Sequence, residues 1–237
     1  MHTDDGGKPF DADLMAAVTE LGEALRELVE TSVTTTVPAE ELRSAAAEAR
    51  AITARLAASR RPVTQLPVLD DPIAFRRVYN PVSGVGSALA PPLVVRNGGD
   101  GVVAEATLGV AYEGPPGYVH GGMSALLMDQ LLGAATIAAG LWGMTVRLEL
   151  DYRRPVPLET PLLLRARVTE GAGRKSAVTG TIARADAPDR TLVEGRGVFV
   201  MPRPQLQDDY FGAITDATGR HTPPGRPTDA TALREDA

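Results

Sequence analysis

The chain has 237 residues, of which 43% are hydrophobic and only 4% aromatic, so its core has to be built mainly from Ala, Val and Leu. A net charge of -6 and a pI near 5.2 argue against a nucleic-acid partner, because phosphate binding needs a basic surface. The absence of cysteine excludes disulfides, thiolate metal sites and a cysteine nucleophile; since no His and acidic residues have metal-ligand spacing either, we expect no metal or other cofactor.

Two segments bear on location. Residues Met1 to Phe10 are polar and acidic and lack the apolar run of a secretion signal, so a cytoplasmic protein is expected. Gly121 to Trp142 is long enough to span a bilayer, but Asp129 lies near its middle, where insertion costs about 3 kcal/mol. Strand patterns follow this segment at once. It is therefore predicted to be a buried core helix, and no membrane partner is expected.

Residues 1–80 are predicted to form a helical N-terminal extension. Apolar residues recur at helical spacing from Asp13 to Glu30. Pro38 then precedes a second helix from Ala39 to about Ser59, which has acidic residues in its first turn. Such an arm can pack on its own domain or on a partner subunit.

Residues 81–202 predict an α+β domain. Strands at Leu93–Val95 and Val102–Val110 flank an Asn-Gly-Gly turn, and the long apolar helix follows. Alternation of apolar and polar residues then predicts four more strands, around residues 146–152, 162–168, 178–182 and 192–201. Short turns between these strands favour an antiparallel meander that packs as one curved sheet on the helix. Residues 203–237 are polar and turn-rich and are predicted to be a largely disordered tail, in which only Tyr210 and Phe211 could dock.

A glycine-rich loop leads into the long helix, through Gly114-Pro115-Pro116-Gly117-Tyr118-Val119 to His120-Gly121-Gly122. Paired glycines at a helix start leave backbone N–H groups that no side chain blocks, and the helix dipole adds partial positive charge there. Such a terminus suits an oxygen that becomes negative during a reaction, for example a thioester carbonyl that becomes tetrahedral.

Asp129 is the only charged residue of this helix, and its helical neighbours are apolar. A buried carboxylate needs a partner, so Asp129 either hydrogen-bonds to backbone groups or to a facing helix, or takes part in chemistry. Gly121 and Asp129 are eight residues apart, about 12 Å along a helix, which is too far for both to act on one carbonyl. Two such helices related by a two-fold axis would bring Gly121 of one subunit near Asp129 of the other.

The motif His120-Gly121-Gly122, with Asp129 nine positions after the His, resembles the signature of hotdog-fold acyl-CoA thioesterases of the PaaI type. The segment from Pro116 to Gly122 and the later segment Asp151 to Leu158 resemble a subgroup of that family, the mammalian mitochondrial acyl-CoA thioesterases. Gly173-Arg174-Lys175 fits the family's hairpin. The resemblance covers about residues 90–202. It implies a central helix wrapped by a curved sheet, homodimers or dimers of dimers, and a fatty or aromatic acyl-CoA substrate.

The resemblance also implies roles for individual residues. The Gly121 N–H would polarise the thioester carbonyl, His120 would help to position the thioester, and Asp129 would act as general base or nucleophile. Thr145 matches a hydroxyl position that contacts the attacking water or the Asp; the alternative is that it is only a residue that favours a strand start. The Asn that many PaaI-type enzymes carry shortly before the His has no counterpart, and its role is unfilled or passes to Glu113.

Substrate binding is predicted to involve Gly122 and four basic residues, Arg153, Arg154, Arg174 and Lys175, which could hold the phosphates of coenzyme A. Solvated surface charge is the alternative for each of the four. The segment Gly171 to Ser176 lacks the spacing of a phosphate-binding loop and is predicted to be a hairpin turn. Two rival functions stay open: a hotdog protein that binds acyl-CoA without turning it over, as a sensor or carrier, and a hydratase or dehydratase.

Overall fold

A computed structural model describes residues 11–72 and 74–221 of the chain. Its centre is one sheet of six antiparallel strands. The strands are β1 (Val94–Asn97), β2 (Val102–Ala106), β3 (Met144–Tyr152), β4 (Leu162–Ala172), β5 (Lys175–Arg184) and β6 (Ala187–Val200). Together with one long helix, α3 (Gly121–Ala138), they confirm the predicted α+β hotdog architecture.

The order of strands in the sheet is β1-β2-β4-β5-β6-β3. The predicted meander is confirmed for β4, β5 and β6, but it is wrong for β3, which pairs with β6 instead of β4. Residues 153–161 connect β3 to β4 and contain three prolines, so they cannot close a tight hairpin. Strand β3 therefore lies at one edge of the sheet, and β2 takes the place beside β4.

Helix α3 packs on one face of the sheet and buries Leu127, Met128, Leu131 and Leu132 in the main core. It lies very close to β5 and β6, because glycines there leave space for it. A Cβ at Gly195 would lie 2.4 Å from Cγ of Met128. Asp129 follows Met128 directly and is only partly buried.

The N-terminal extension contains α1 (Ala12–Thr34) and α2 (Ala39–Ala57). Asp11 caps α1, since its side chain accepts a hydrogen bond from the Leu14 N–H at 2.9 Å. Both helices match the prediction to within a few residues, whereas residues 60–72 and 74–80 form turns and isolated bridges. Helix α1 packs on its own domain, while α2 buries none of its residues.

Beyond the sheet, the structure differs from the expected disordered tail. Residues Pro204–Phe211 form a helix, α4, and the Phe211 ring lies 6.4 Å from that of Trp142. A backbone hydrogen bond of 2.9 Å joins Leu66 to Thr215. The remaining tail, residues 222–237, and the N-terminal residues 1–10 lie outside the described residues. Among the helices of the described residues, none has the length and apolar character needed to cross a membrane.

Candidate active site

The loop that enters α3 is held by backbone hydrogen bonds on both sides. The His120 N–H donates to the Tyr112 carbonyl at 2.9 Å, and the Val119 N–H donates to the Val156 carbonyl at 2.9 Å. Within the loop, Gly117 has a φ of +80°, a conformation that glycine adopts without strain. These contacts fix where the helix begins, and therefore where its free N–H groups point.

His120 is the N-cap of α3. Its Nδ1 accepts a hydrogen bond from the Gly122 N–H at 3.0 Å. Because Nδ1 acts as an acceptor, the neutral ring carries its proton on Nε2, where it can donate to another group. The side chain is exposed, so this donor faces open space at the helix start.

Gly121 is the first residue of α3, and its N–H donates no hydrogen bond within residues 11–72 and 74–221. Its carbonyl accepts a hydrogen bond of 2.8 Å from the Tyr152 hydroxyl. An added Cβ would lie 3.5 Å from the Tyr152 ring, an ordinary contact. An N–H in this position at a helix start, together with the helix dipole, can bind a negatively charged oxygen.

Asp129 lies two turns further along α3, on the open face of the helix. The Thr145 hydroxyl donates a hydrogen bond of 2.9 Å to its Oδ1. The carboxylate is only partly buried in the single chain, so the prediction that it is buried is wrong for the isolated subunit. The open face of α3 leaves room for water on one side of the carboxylate, and Thr145 holds the other side.

Strand β3 connects the two halves of this candidate site. Its first residues lie beside Asp129, through Thr145, and its last residue, Tyr152, lies beside Gly121. The outer edge of β3 has no strand paired to it in the described part of the chain. A register shift between Thr145 and Arg147 turns Val146 outward, where it is 62% exposed.

The four predicted basic residues form two separate pairs. The Arg153 N–H donates to the Leu192 carbonyl at 2.9 Å, whereas Lys175 pairs with Val200 in the sheet. Leu192 and Val200 are eight residues apart on β6, which is about 26 Å in a strand. Arg153 and Arg154 are therefore at the Gly121 end of β3, while Arg174 and Lys175 are at the Asp129 end.

Acidic side chains already surround part of the first pair. Arg153 makes an ion pair of 3.1 Å with Glu194 and one of 3.4 Å with Asp151. Asp151 also accepts a hydrogen bond of 2.6 Å from Arg196, and this bond, followed by the charge of Arg153, lowers the pKa of Asp151. Arg154 and Arg174 each donate to a backbone carbonyl, of Thr191 and Met201 respectively.

Two contributors were not predicted. The alternating pattern predicts a strand at Tyr152 but not the hydrogen bond from its hydroxyl to the Gly121 carbonyl, and a backbone carbonyl such as that of Tyr112 has no side-chain signature. Glu113, the possible substitute for the missing Asn, accepts a hydrogen bond from the Gly117 N–H at 2.7 Å through its Oε1 and so stabilises the entrance loop. In the residues that the structure describes, no group of three His or acidic side chains could hold a metal.

The chain is similar to thioesterases of known sequence and structure. Residues 116–190 match the family model "Thioesterase superfamily". Over 98 residues the chain is 33% identical to acyl-coenzyme A thioesterase THEM4 of Mus musculus, and over 84 residues it is 35% identical to the Rattus norvegicus protein of that name. These alignments span only 41% and 35% of the relatives and the same shares of this chain. The crystal structure of a thioesterase superfamily protein has a TM-score of 0.69 and 36% identity, over 77% of this chain and 94% of that one.

Proposed function

The chain belongs to the thioesterase superfamily, and we propose on this basis that it hydrolyses acyl-coenzyme A thioesters to a free acid and coenzyme A. One arrangement carries the proposal. Asp129, which accepts a hydrogen bond from the Thr145 hydroxyl, lies on the helix that begins at Gly121, and the Gly121 N–H has no acceptor among the described residues, so it can bind an oxygen. A thioesterase needs a group that activates an attacking oxygen and a donor that stabilises the oxyanion. Asp129 and Gly121 supply these two functions.

In the proposed reaction, the thioester carbonyl oxygen accepts a hydrogen bond from the Gly121 N–H, and the Nε2–H of His120 helps to position the thioester. The Thr145 hydroxyl donates a hydrogen bond to Oδ1 of Asp129. Oδ2 is then available to take a proton from water as the water oxygen attacks the carbonyl carbon. The tetrahedral intermediate then expels the coenzyme A thiolate, which takes up the proton that Asp129 had accepted from water. If Asp129 attacks directly, an acyl anhydride forms and water cleaves it in a second step.

The site is proposed to be shared between two subunits. Asp129 and Gly121 of one chain are separated by about 12 Å along α3, so one carbonyl cannot contact both. If two β3 strands pair antiparallel across a two-fold axis, the Thr145 end of one strand lies beside the Tyr152 end of the other. Asp129 then approaches Gly121 of the partner subunit. The exposed apolar side chains of Met144 and Val146 at this edge favour such pairing.

The same two-fold arrangement explains the separation of the basic residues. Arg174 and Lys175 lie at the Asp129 end of the sheet, whereas Arg153 and Arg154 lie at the Gly121 end. Across the dimer, each basic pair faces the other pair of the partner subunit. We propose that the two pairs together bind the phosphates of coenzyme A, and that Gly122 leaves space for the substrate at the helix start.

The direct test is to incubate the purified protein with acetyl-, butanoyl-, dodecanoyl- and phenylacetyl-CoA and to follow thiol release with a thiol-detecting reagent. Steady release from at least one thioester is expected, with the free acid as second product. Binding of acyl-CoA without thiol release would favour the sensor or carrier alternative. Addition of water to an enoyl-CoA, without loss of the thiol, would favour a hydratase.

The shared site predicts complementation between inactive variants. Asp129→Ala and Gly121→Pro each inactivate both sites of a homodimer, but a mixed dimer combines one intact Asp129 with one intact Gly121 and regains one site. With full exchange of subunits, about a quarter of wild-type activity is expected, since half of the dimers are mixed and each has one active site. Native mass spectrometry measures the fraction of mixed dimers. If mixed dimers form and remain inactive, the shared site is wrong.

A further inference from the structure

A cavity of about 760 Å³ lies between α1, the loop of residues 81–92, the 3₁₀ turn Val110–Tyr112 and α3. Its wall is largely apolar, and its volume is in the usual range for pockets that bind small molecules. The lining side chains used below are Val29 from α1, Leu89 from the loop, Tyr112, and Met123 and Leu126 from α3. We refer to this cavity as the α1 pocket.

Helix α1 is held as a fixed wall of the α1 pocket by one stripe of its residues. Arg26 donates to the Val85 and Ser87 carbonyls at 2.8 and 3.0 Å. One turn later, the Glu30 carboxylate accepts hydrogen bonds from the Val110 and Ala111 N–H groups at 2.7 and 3.0 Å. Arg26 and Glu30, at the two edges of the α1 pocket, therefore both have hydrogen-bond partners on the backbone.

One turn before Arg26, Gly22 completes the same stripe. An added Cβ at Gly22 would lie 2.1 Å from the Val85 carbonyl oxygen, so only glycine allows α1 to approach the loop this closely. Residues spaced by four lie on one side of a helix. The sequence of α1 is therefore arranged to attach this helix to the catalytic domain.

The α1 pocket lies beside the candidate active site. Leu126 lies four residues after Gly122 and three before Asp129, which places all three on one side of α3. Tyr112 joins the two regions directly: its carbonyl accepts the His120 N–H, and its hydroxyl donates to the Leu89 carbonyl at 3.2 Å. Burial raises the pKa of this phenol, in accord with its position inside the wall.

The charges around the α1 pocket restrict the kind of group that can enter. Arg26 and Glu30 are engaged by backbone groups, while Glu27 and Glu159 are exposed at the rim. Two carboxylates at the rim repel an anionic chain end, such as the second carboxylate of a dicarboxylic acyl group. Between these charged groups the wall is formed largely by aliphatic side chains and prolines, with the ring of Tyr112 as its one aromatic group, which suits an alkyl chain.

We propose that the α1 pocket binds the uncharged alkyl chain of a fatty acyl thioester, and that α1 thereby sets the acyl specificity. This inference rests on the proposed function, because the thioester end must reach the start of α3. The N-terminal extension then has a function in substrate selection in addition to its packing on the domain.

The test places a bulky side chain in the α1 pocket and compares it with a matched control. Val29→Trp fills the cavity, whereas Val33→Trp puts the same substitution one turn later on α1, outside the lining. Val29→Trp is expected to lower the ratio of kcat/KM for dodecanoyl-CoA to that for butanoyl-CoA about tenfold or more, since each buried methylene contributes to binding. Val33→Trp is expected to keep the wild-type ratio. Leu89→Trp, at a 69% exposed position, gives a second variant if Val29→Trp does not fold.

A binding measurement separates this inference from the proposed function. Calorimetric titration with 1-decanol, a neutral alkyl chain, is expected to show binding to the wild-type protein and to Val33→Trp, and at least about tenfold weaker binding to Val29→Trp. If no thioester is hydrolysed but this pattern holds, the proposed function fails and the alkyl site stands. If Val29→Trp and Leu89→Trp keep both the wild-type ratio and the wild-type affinity for 1-decanol, the α1 pocket does not bind the acyl chain.

Discussion

Asp129→Asn is expected to lower kcat for acyl-CoA hydrolysis at least about 10²-fold, while the protein keeps its fold. Loss of a general base or nucleophile costs about 10²–10⁴-fold. The asparagine carbonyl can still accept the hydrogen bond that Thr145 donates to Oδ1, so the side chain keeps its position. What is lost is the negative charge at the second oxygen. The measurement is kcat and KM on the best thioester of the panel, together with the melting temperature.

Asp100→Asn is the matched control for this prediction. It removes the same charge from an exposed turn between β1 and β2, which contributes no residue to the candidate site. We expect it to keep wild-type kcat. An Asp129→Asn protein that retains more than about a tenth of wild-type kcat would contradict both proposed roles of Asp129.

The sequence was sufficient to predict the central helix and the strand-rich domain around it. The lone charge in the segment Gly121 to Trp142 distinguished a core helix from a membrane span, and short turns predicted the β4-β5-β6 hairpins. The edge position of β3 was not predictable in the same way. An alternating pattern shows that a strand has one buried face, but not which strand lies next to it. That choice depends on the proline-rich connection after Tyr152 and on the packing of α3.

Some features of the candidate site were likewise predictable from the sequence, and others were not. The Gly121 N–H lacks an intrahelical partner because it lies at the start of a helix, and the two glycines leave it uncovered by a side chain. The contact between Thr145 and Asp129 was implied by the family resemblance. The hydrogen bond from Tyr152 to the Gly121 carbonyl depends on how β3 lies along α3, which no local pattern specifies. The attachment of α1 through Gly22, Arg26 and Glu30 was equally hidden, because a helical stripe with one glycine and two charges gives no apolar signal.

Gly121→Pro is expected to lower kcat about 10²–10³-fold, the usual loss when one oxyanion donor of about 3 kcal/mol is removed. Proline removes the N–H of residue 121 but no other group that stabilises the fold. Gly121 is the first residue of α3, a position where proline is favoured, and its N–H has no acceptor among the described residues. His120, with φ of -59° and ψ of 133°, already has the conformation that a residue before proline adopts.

Gly121→Ala separates the loss of the N–H from the added bulk. Alanine keeps the donor and introduces a Cβ that would make only ordinary contacts with Tyr152 in the single chain. Because the bond to the carbonyl oxygen strengthens as negative charge develops, Gly121→Pro should lower kcat far more than it raises KM, and its kcat should fall at least about tenfold below that of Gly121→Ala. Circular dichroism and the mass of the dimer check that both variants fold and assemble. If Gly121→Pro and Gly121→Ala have equal kcat values, the Gly121 N–H is not the oxyanion donor, and the glycine only leaves room for the substrate.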